Sequence, residues 1–192
     1  MIMGDPKKQR KKYATPRFPW RSDALKDELK FLGQYGLRNK HELWRHETML
    51  SKFRGIARSL IGRPQEERRK MEGELLSRLK KLGLLHETAV LDDVLDLTIE
   101  DFLERRLQTI VFRKGLTKTI QQTRQLITHG HIKIGDRRVT VPSFIVTKEE
   151  ESQIAYTSQS PFSNPSHPLR QTISVAAPSE TRSTQQQTEE ER

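Results

Sequence analysis

Cysteine is absent from this 192-residue chain. That excludes a disulfide framework, a thiolate zinc site and a cysteine nucleophile together. No apolar run reaches the roughly 18 residues that a membrane helix needs, and residues 1–12 contain no apolar stretch of the kind a secretory signal carries. The expectation is therefore a soluble, intracellular protein with no membrane partner. Aromatic residues make up 6% of the chain and apolar residues 33%, against 31% charged, enough for one or two small cores. Acid nearly vanishes from one stretch: between residues 105 and 147, Asp136 alone stands against nine Lys and Arg.

What is present is positive charge, unevenly placed. The chain carries +10, yet residues 161–192 hold three basic and four acidic groups, so residues 1–160 carry +11. A field of that sign attracts polyanions, nucleic acid before all others. Residues 161–192 are rich in Ser, Thr, Gln and Glu and have little to bury against the entropy of ordering; a disordered polar tail is expected there. Residues 4–21 read differently. Lys7, Lys8, Arg10, Lys11, Lys12 and Arg17 are interleaved with Tyr13, Phe18 and Trp20 and stiffened by Pro16 and Pro19, a mixture that lets cations meet phosphate while rings stack on bases.

Helical periodicity begins at Ser22, an N-cap candidate, with Leu25, Leu29 and Leu32 on one face and Gly33 and Gly36 near the stop. Asn39 and Glu42 have capping-box spacing ahead of Leu43, Leu50, Phe53, Ala57 and Leu60. A third stripe (Met71, Leu75, Leu79, Leu82) follows Pro64, with Arg78, Lys80 and Lys81 in its last turn, where the helix dipole favours cations. The adjacent acids Asp92 and Asp93 read as cap or turn residues rather than a catalytic pair. From Thr98 a helix carrying Leu103, Leu107, Ile110 and Val111 is expected to end at Gly115. Thr119 and Gln122 repeat the capping-box spacing before Ile120, Thr123 and Ile127, and Gly130 suits a left-handed stop. Ile132 and Ile134 then alternate with His131 and Lys133, Gly135-Asp136 suits a hairpin turn, and strands are expected around Val139, at 144–146 and at 153–156. The fold class is α+β: a basic aromatic arm (1–21), a helical domain (22–97), a module of two helices on a short antiparallel sheet (98–160) and the tail (161–192).

The polar side of the second unit gathers Arg105, Arg106, Arg113, Lys118, Gln121, Arg124, Gln125, Thr128, His129, Lys133, Arg137 and Arg138. An almost wholly positive face costs self-repulsion that a bound phosphate backbone relieves; these residues, with those of the arm, are the candidate RNA contacts. Enzymatic alternatives find little support. Gly130 to Gly135 is followed by Asp136 and so is not a phosphate loop, His46-Glu47 lacks the second histidine of a zinc protease, and the six histidines lack metal-ligand spacing. No metal, cofactor or small-molecule substrate is expected, nor self-association.

Arg106-Leu107, Gly115-Leu116, Thr119, Thr123 through Ile127, Gly130-His131-Ile132, Ile134-Gly135-Asp136 and Pro142-Ser143-Phe144 together resemble the S-four RNA-binding module. The surrounding strings, Gly36-Leu37-Arg38-Asn39-Lys40 with Glu42-Leu43-Trp44-Arg45 and Glu100 through Thr109, are similar to the archaeal/eukaryotic-type branch of the small-subunit ribosomal protein four family, over about residues 4–160. The resemblance implies a helical domain followed by the module and direct binding to small-subunit rRNA early in assembly. It also implies neighbours in ribosomal proteins five and twelve, an influence on decoding accuracy, and residence in the cytoplasmic small subunit. Its RNA-facing positions fall on Arg106, Lys118, Thr119, Arg124, Gln125, His129, His131 and Lys133. Two departures are visible: Gly135-Asp136 replaces the usual Asn-Gly turn, and Lys148 is followed by Glu149-Glu150-Glu151. A modifying enzyme that carries such a module needs a further catalytic domain; a free RNA chaperone is the nearer alternative.

Overall fold

The computed structural model describes residues 10–164, 166–168 and 170, and the chain divides into two units between Glu104 and Arg105. In the first unit, α1 (Ser22–Tyr35) ends at Gly36, whose φ of 58° is left-handed and whose N–H donates to Leu32. The α1 stripe differs from expectation. Leu29 is 61% exposed, while Glu28 and Tyr35 are the buried residues. The helix is turned so that Glu28 accepts the Trp44 indole N–H at 2.9 Å and pairs with Lys40 at 2.8 Å, and the Tyr35 hydroxyl donates to Glu104 at 3.1 Å. These polar partners turn Leu29 outward, while Leu25 stays half-buried and Leu32 packs beside Tyr35.

Asn39 caps α2 (Lys40–Ile61), its side chain accepting from the Glu42 N–H. Leu43, Leu50, Phe53, Ala57 and Leu60 are all buried as the periodicity requires. Pro64 stands one residue ahead of α3 (Gln65–Lys81), of whose stripe Leu75 and Leu79 are buried and Met71 is exposed. Leucines 50, 60, 75, 79, 85, 91 and 97 with Phe53 and Phe102 form the core. Burial of such side chains is worth about 1.5–3 kcal/mol each, which is what holds the three helices together. The acids of the connector close turns: Asp93, at the start of α4 (Asp93–Asp96), accepts from the Val90 N–H at 2.7 Å. Asp101, in α5 (Ile99–Glu104), accepts from the Thr98 N–H at 2.7 Å.

The single helix expected from Thr98 to Gly115 is two. After α5 the chain becomes extended at Arg106 (φ −71°, ψ 140°) before α6 (Leu107–Arg113). Arg106 bridges Ile145, the Leu107 N–H donates to the Phe144 carbonyl and the Val146 N–H to the Arg105 carbonyl. Segment 144–146 thus pairs with the inter-helix link and does not join the sheet. In α7 (Ile120–Thr128) Thr119 is the N-cap, accepting from the Gln122 N–H, while the Gln122 side chain takes the Lys118 N–H, a box displaced by one residue. Three antiparallel strands, β1 (Ile132–Ile134), β2 (Arg137–Arg138) and β3 (Ile154–Tyr156), lie in the order β2-β1-β3. Gly135 has positive φ and Asp136 does not, as a two-residue turn with glycine first requires. The triple-glutamate stretch forms a short helix, α8 (Lys148–Ser152), opened by a Thr147–Glu150 capping box, and β3 follows it. The core of this unit joins Leu107, Ile110, Val111, Leu126 and Ile127 to Ile132, Ile134, Val139, Val146 and Ile154.

Phe162 also packs against that core. Expected as the start of a disordered tail, Pro161–Ser163 is a turn of 3-10 helix capped by Ser160, and Arg170 donates to the Phe162 and Ser163 carbonyls. Residues 171–192 lie outside the described residues. Among the described residues no helix is long and apolar enough to cross a membrane.

Candidate nucleic-acid interface

The α7 periodicity buries Thr123, Leu126 and Ile127 and leaves Gln121, Gln125 and Thr128 exposed, with Lys118 and His129 exposed at its two ends. Beyond the helix, the alternation of β1 buries Ile132 and Ile134 and turns His131 and Lys133 to the other side. Lys133 lies opposite Arg138 in the register, so these two cations share that side. His129 and His131 stack with ring planes 4° apart and centroids at 6.3 Å. The Arg138 guanidinium donates to the His129 carbonyl at 2.9 Å, lying over Gly130 where a Cβ would overlap it. These contacts join the helix end to the outer side of the hairpin. Half-burial first, then His129 and Arg138, hold the His131 imidazole below its ordinary pKa.

The predicted set does not all converge there. Arg106 is fully buried, which removes it from any exposed face. Arg105 pairs with Glu151 at 2.7 Å and donates to the Val146 carbonyl at 3.2 Å. Arg137 sits opposite Ile134, one residue out of phase with Arg138. It stands over the Phe144 ring at 5.5 Å and 3.7 Å from Glu150. Lys114 donates to the Glu151 carbonyl. The Glu150 and Glu151 carboxylates and the Glu151 carbonyl of α8 therefore draw Arg137, Arg105 and Lys114 together, away from the His129–Lys133–Arg138 side. Arg124 is half-buried and reaches Gln108 at 3.4 Å, and the Thr119 side chain is occupied as the cap.

In the first unit, Lys7 and Lys8 lie outside the described residues. From Arg10 the arm rests on α2: Tyr13 stacks on His41 at 4.8 Å, and the Ala14 N–H donates to Thr48 Oγ1 at 2.9 Å. Arg17 lies over the Phe18 ring at 5.4 Å, and Trp20 is 87% exposed. Arg10, Lys11 and Lys12 line a groove of about 620 Å³ with Arg45, Lys52 and Arg78, over a floor that includes Met49, Phe53 and Ile56. Sequence reasoning missed those last three cations. Arg45, Met49, Lys52 and Ile56 recur at spacings of three and four on one α2 face, a signal overshadowed by the leucine stripe beside it.

Among the described residues, no three His, Asp or Glu side chains are placed to hold a metal ion. The S4 domain family matches residues 105–152. The chain is 55% identical to the small ribosomal subunit protein uS4 of Hyperthermus butylicus over 83% of this chain and 91% of that protein. It is 54% identical to the protein of the same name from Ignicoccus hospitalis over 83% and 96%. A third, from Picrophilus torridus, is 51% identical over 90% and 96%.

Proposed function

This chain belongs to the uS4 family of small ribosomal subunit proteins, and from that premise we propose that it is a structural, non-catalytic constituent of the small subunit in the cytoplasm, holding rRNA mainly through its second unit. Lys118, Gln121, Gln125, His129, His131, Lys133 and Arg138 form the contact surface. The observation that carries this is the segregation of charge: α8 gathers three of the unit's cations by ion pair or hydrogen bond, while the Lys133–Arg138 side of the hairpin keeps its positive character. Such a surface reads RNA by shape, through phosphates and 2′-hydroxyls. The cationic groove on α2 and the exposed Trp20 extend the same chemistry to the first unit, with Arg10, Lys11, Lys12 and Arg17 as its contacts.

The finer reading is that the chain binds rRNA early, helps nucleate the subunit body, borders ribosomal proteins five and twelve and so influences decoding accuracy, and acts as a single copy. The family membership supports it. The test is binding to an in vitro small-subunit rRNA transcript across a salt series. Replacing Lys118 and Lys133 by alanine together should flatten the log–log salt slope by about 1.4–1.8, the equivalent of two phosphates, without moving the thermal midpoint. An unchanged slope removes this face from the interface. Co-sedimentation with mature small subunits in a sucrose gradient separates a resident constituent from a chaperone that meets only precursors.

A further inference from the structure

Ser160 and Phe162 lie beyond the segment that the S4 domain family matches, yet they close on its surface. The Ser160 hydroxyl, in a buried residue, accepts from the Phe162 N–H at 3.2 Å and stands 3.0 Å from His131 Nδ1. A hydroxyl has one hydrogen to donate. If Nδ1 carried a proton, Ser160 would receive two donors and its own hydrogen would need a third partner in a buried place, an arrangement that costs free energy. The economical assignment has Ser160 donate to Nδ1, which places the imidazole proton on Nε2 and leaves the ring neutral. The ring is also fixed mechanically. Phe162 meets it edge-on at 5.1 Å, and His129 stacks on it. The His131 carbonyl accepts from the Thr157 N–H at 2.9 Å, while the Ser160 N–H donates to the Thr157 carbonyl at 2.9 Å. Among the described residues, the titratable groups at this corner are basic with one exception: His129 comes from the end of α7, Arg138 from β2 and, through Phe162, His167 and Arg170, while the Tyr156 phenol, stacked on Phe162, brings no positive charge. A second positive charge at residue 131 is opposed from each side.

We infer that Ser160, seated by Phe162, is a positioning residue that locks His131 as a neutral Nε2–H donor, so that this point of the surface recognises an acceptor atom of an RNA sugar or base by hydrogen bond rather than a phosphate by ion pairing. The inference rests on the RNA reading given above and adds to it the chemistry of one subsite. The depressed His131 pKa agrees with it.

Long-range ¹H–¹⁵N spectra of the full chain labelled in histidine read the tautomer directly. At pH 7, His131 should show a protonated Nε2 and a bare Nδ1, titrating below the ordinary value of about 6.5. Ser160→Ala should raise that midpoint and mix the tautomers. In rRNA-transcript binding at pH 7.5, His131→Phe should weaken affinity about threefold to tenfold, the size of one neutral hydrogen bond, with the salt slope unchanged. His131→Gln, which keeps an Nε2–H donor, should bind like the unsubstituted chain. An Nδ1–H tautomer or an imidazolium at pH 7 overturns the lock, as does a titration indifferent to Ser160→Ala. RNA binding that persists unaltered in His131→Phe overturns the inference alone. A chain with the expected tautomer that ignores the transcript overturns the RNA reading and, with it, the recognition half of the inference.

Discussion

Gly130 and Arg138 show how a single residue type can decide a local surface. The φ of 76° at Gly130 is one that L side chains avoid at a cost of about 1–2 kcal/mol, and a Cβ there would also overlap the Arg138 guanidinium. Gly130→Ala should therefore lower stability in denaturant titration by more than the backbone penalty alone. Adding Arg138→Ala should recover part of the loss, a non-additivity that a double-mutant cycle reads. His131 gives a second expectation at this scale. Because folding lowers its pKa, the unfolded chain binds the extra proton first as pH falls. The contribution to stability is complete above about pH 6.5 and declines below it. Stability measured from pH 7.5 down to 5 should fall less steeply in Ser160→Ala than in the unsubstituted chain, and parallel curves would contradict the assignment. Neither effect was readable in advance. Gly130 could be recognised as a helix stop, but its contact with Arg138 depends on the hairpin folding back over it.

At the scale of elements, the caps of α2 and α7 and the buried α2 stripe were legible, whereas Ser22 stands inside α1 behind its N-cap Arg21, and orientation and continuity were less so. Asn39 and Thr119 cap the helices their spacing announces, and the α2 stripe is buried throughout, because local hydrogen bonds and a period of 3.6 are encoded within a few residues. The rotation of α1 was not legible, since Glu28 is buried by partners 12 and 16 residues away, Lys40 and Trp44. Tyr35→Ala should cost about 3–5 kcal/mol, as large-to-small aromatic core changes do, while Leu29→Ala, on an exposed face, should stay within about 0.5 kcal/mol. Equal losses would restore the leucine stripe as the core face. The break between α5 and α6 was hidden for the same reason: nothing in residues 99–113 interrupts the apolar period. The chain leaves the helix at Arg106 to meet 144–146, some 40 residues on.

At the scale of the whole molecule, the sequence announced how much positive charge there is and in which half, but not its division into sides. Adjacent residues of a strand point oppositely, so Arg137 and Arg138 part company once the register is set, and Glu150 and Glu151, two of the three glutamates after Lys148, pair with Arg137 and Arg105. The tail showed the converse weakness of composition. A lone Phe162 in polar surroundings gave little reason to expect packing, yet it meets Tyr156 and His131. The arm's basic run was legible as far as Lys12, whereas Arg45, Lys52 and Arg78 join it only through the folding of α2 and α3. The measurement that tests the account most directly compares Arg137→Ala with Arg138→Ala in rRNA-transcript binding over a salt series. Arg138→Ala should weaken binding and flatten the log–log slope by about 0.7–0.9, one phosphate's worth, while Arg137→Ala leaves both unchanged. Equal losses from the two substitutions, or a larger one from Arg137→Ala, would contradict the division of the surface on which the account stands.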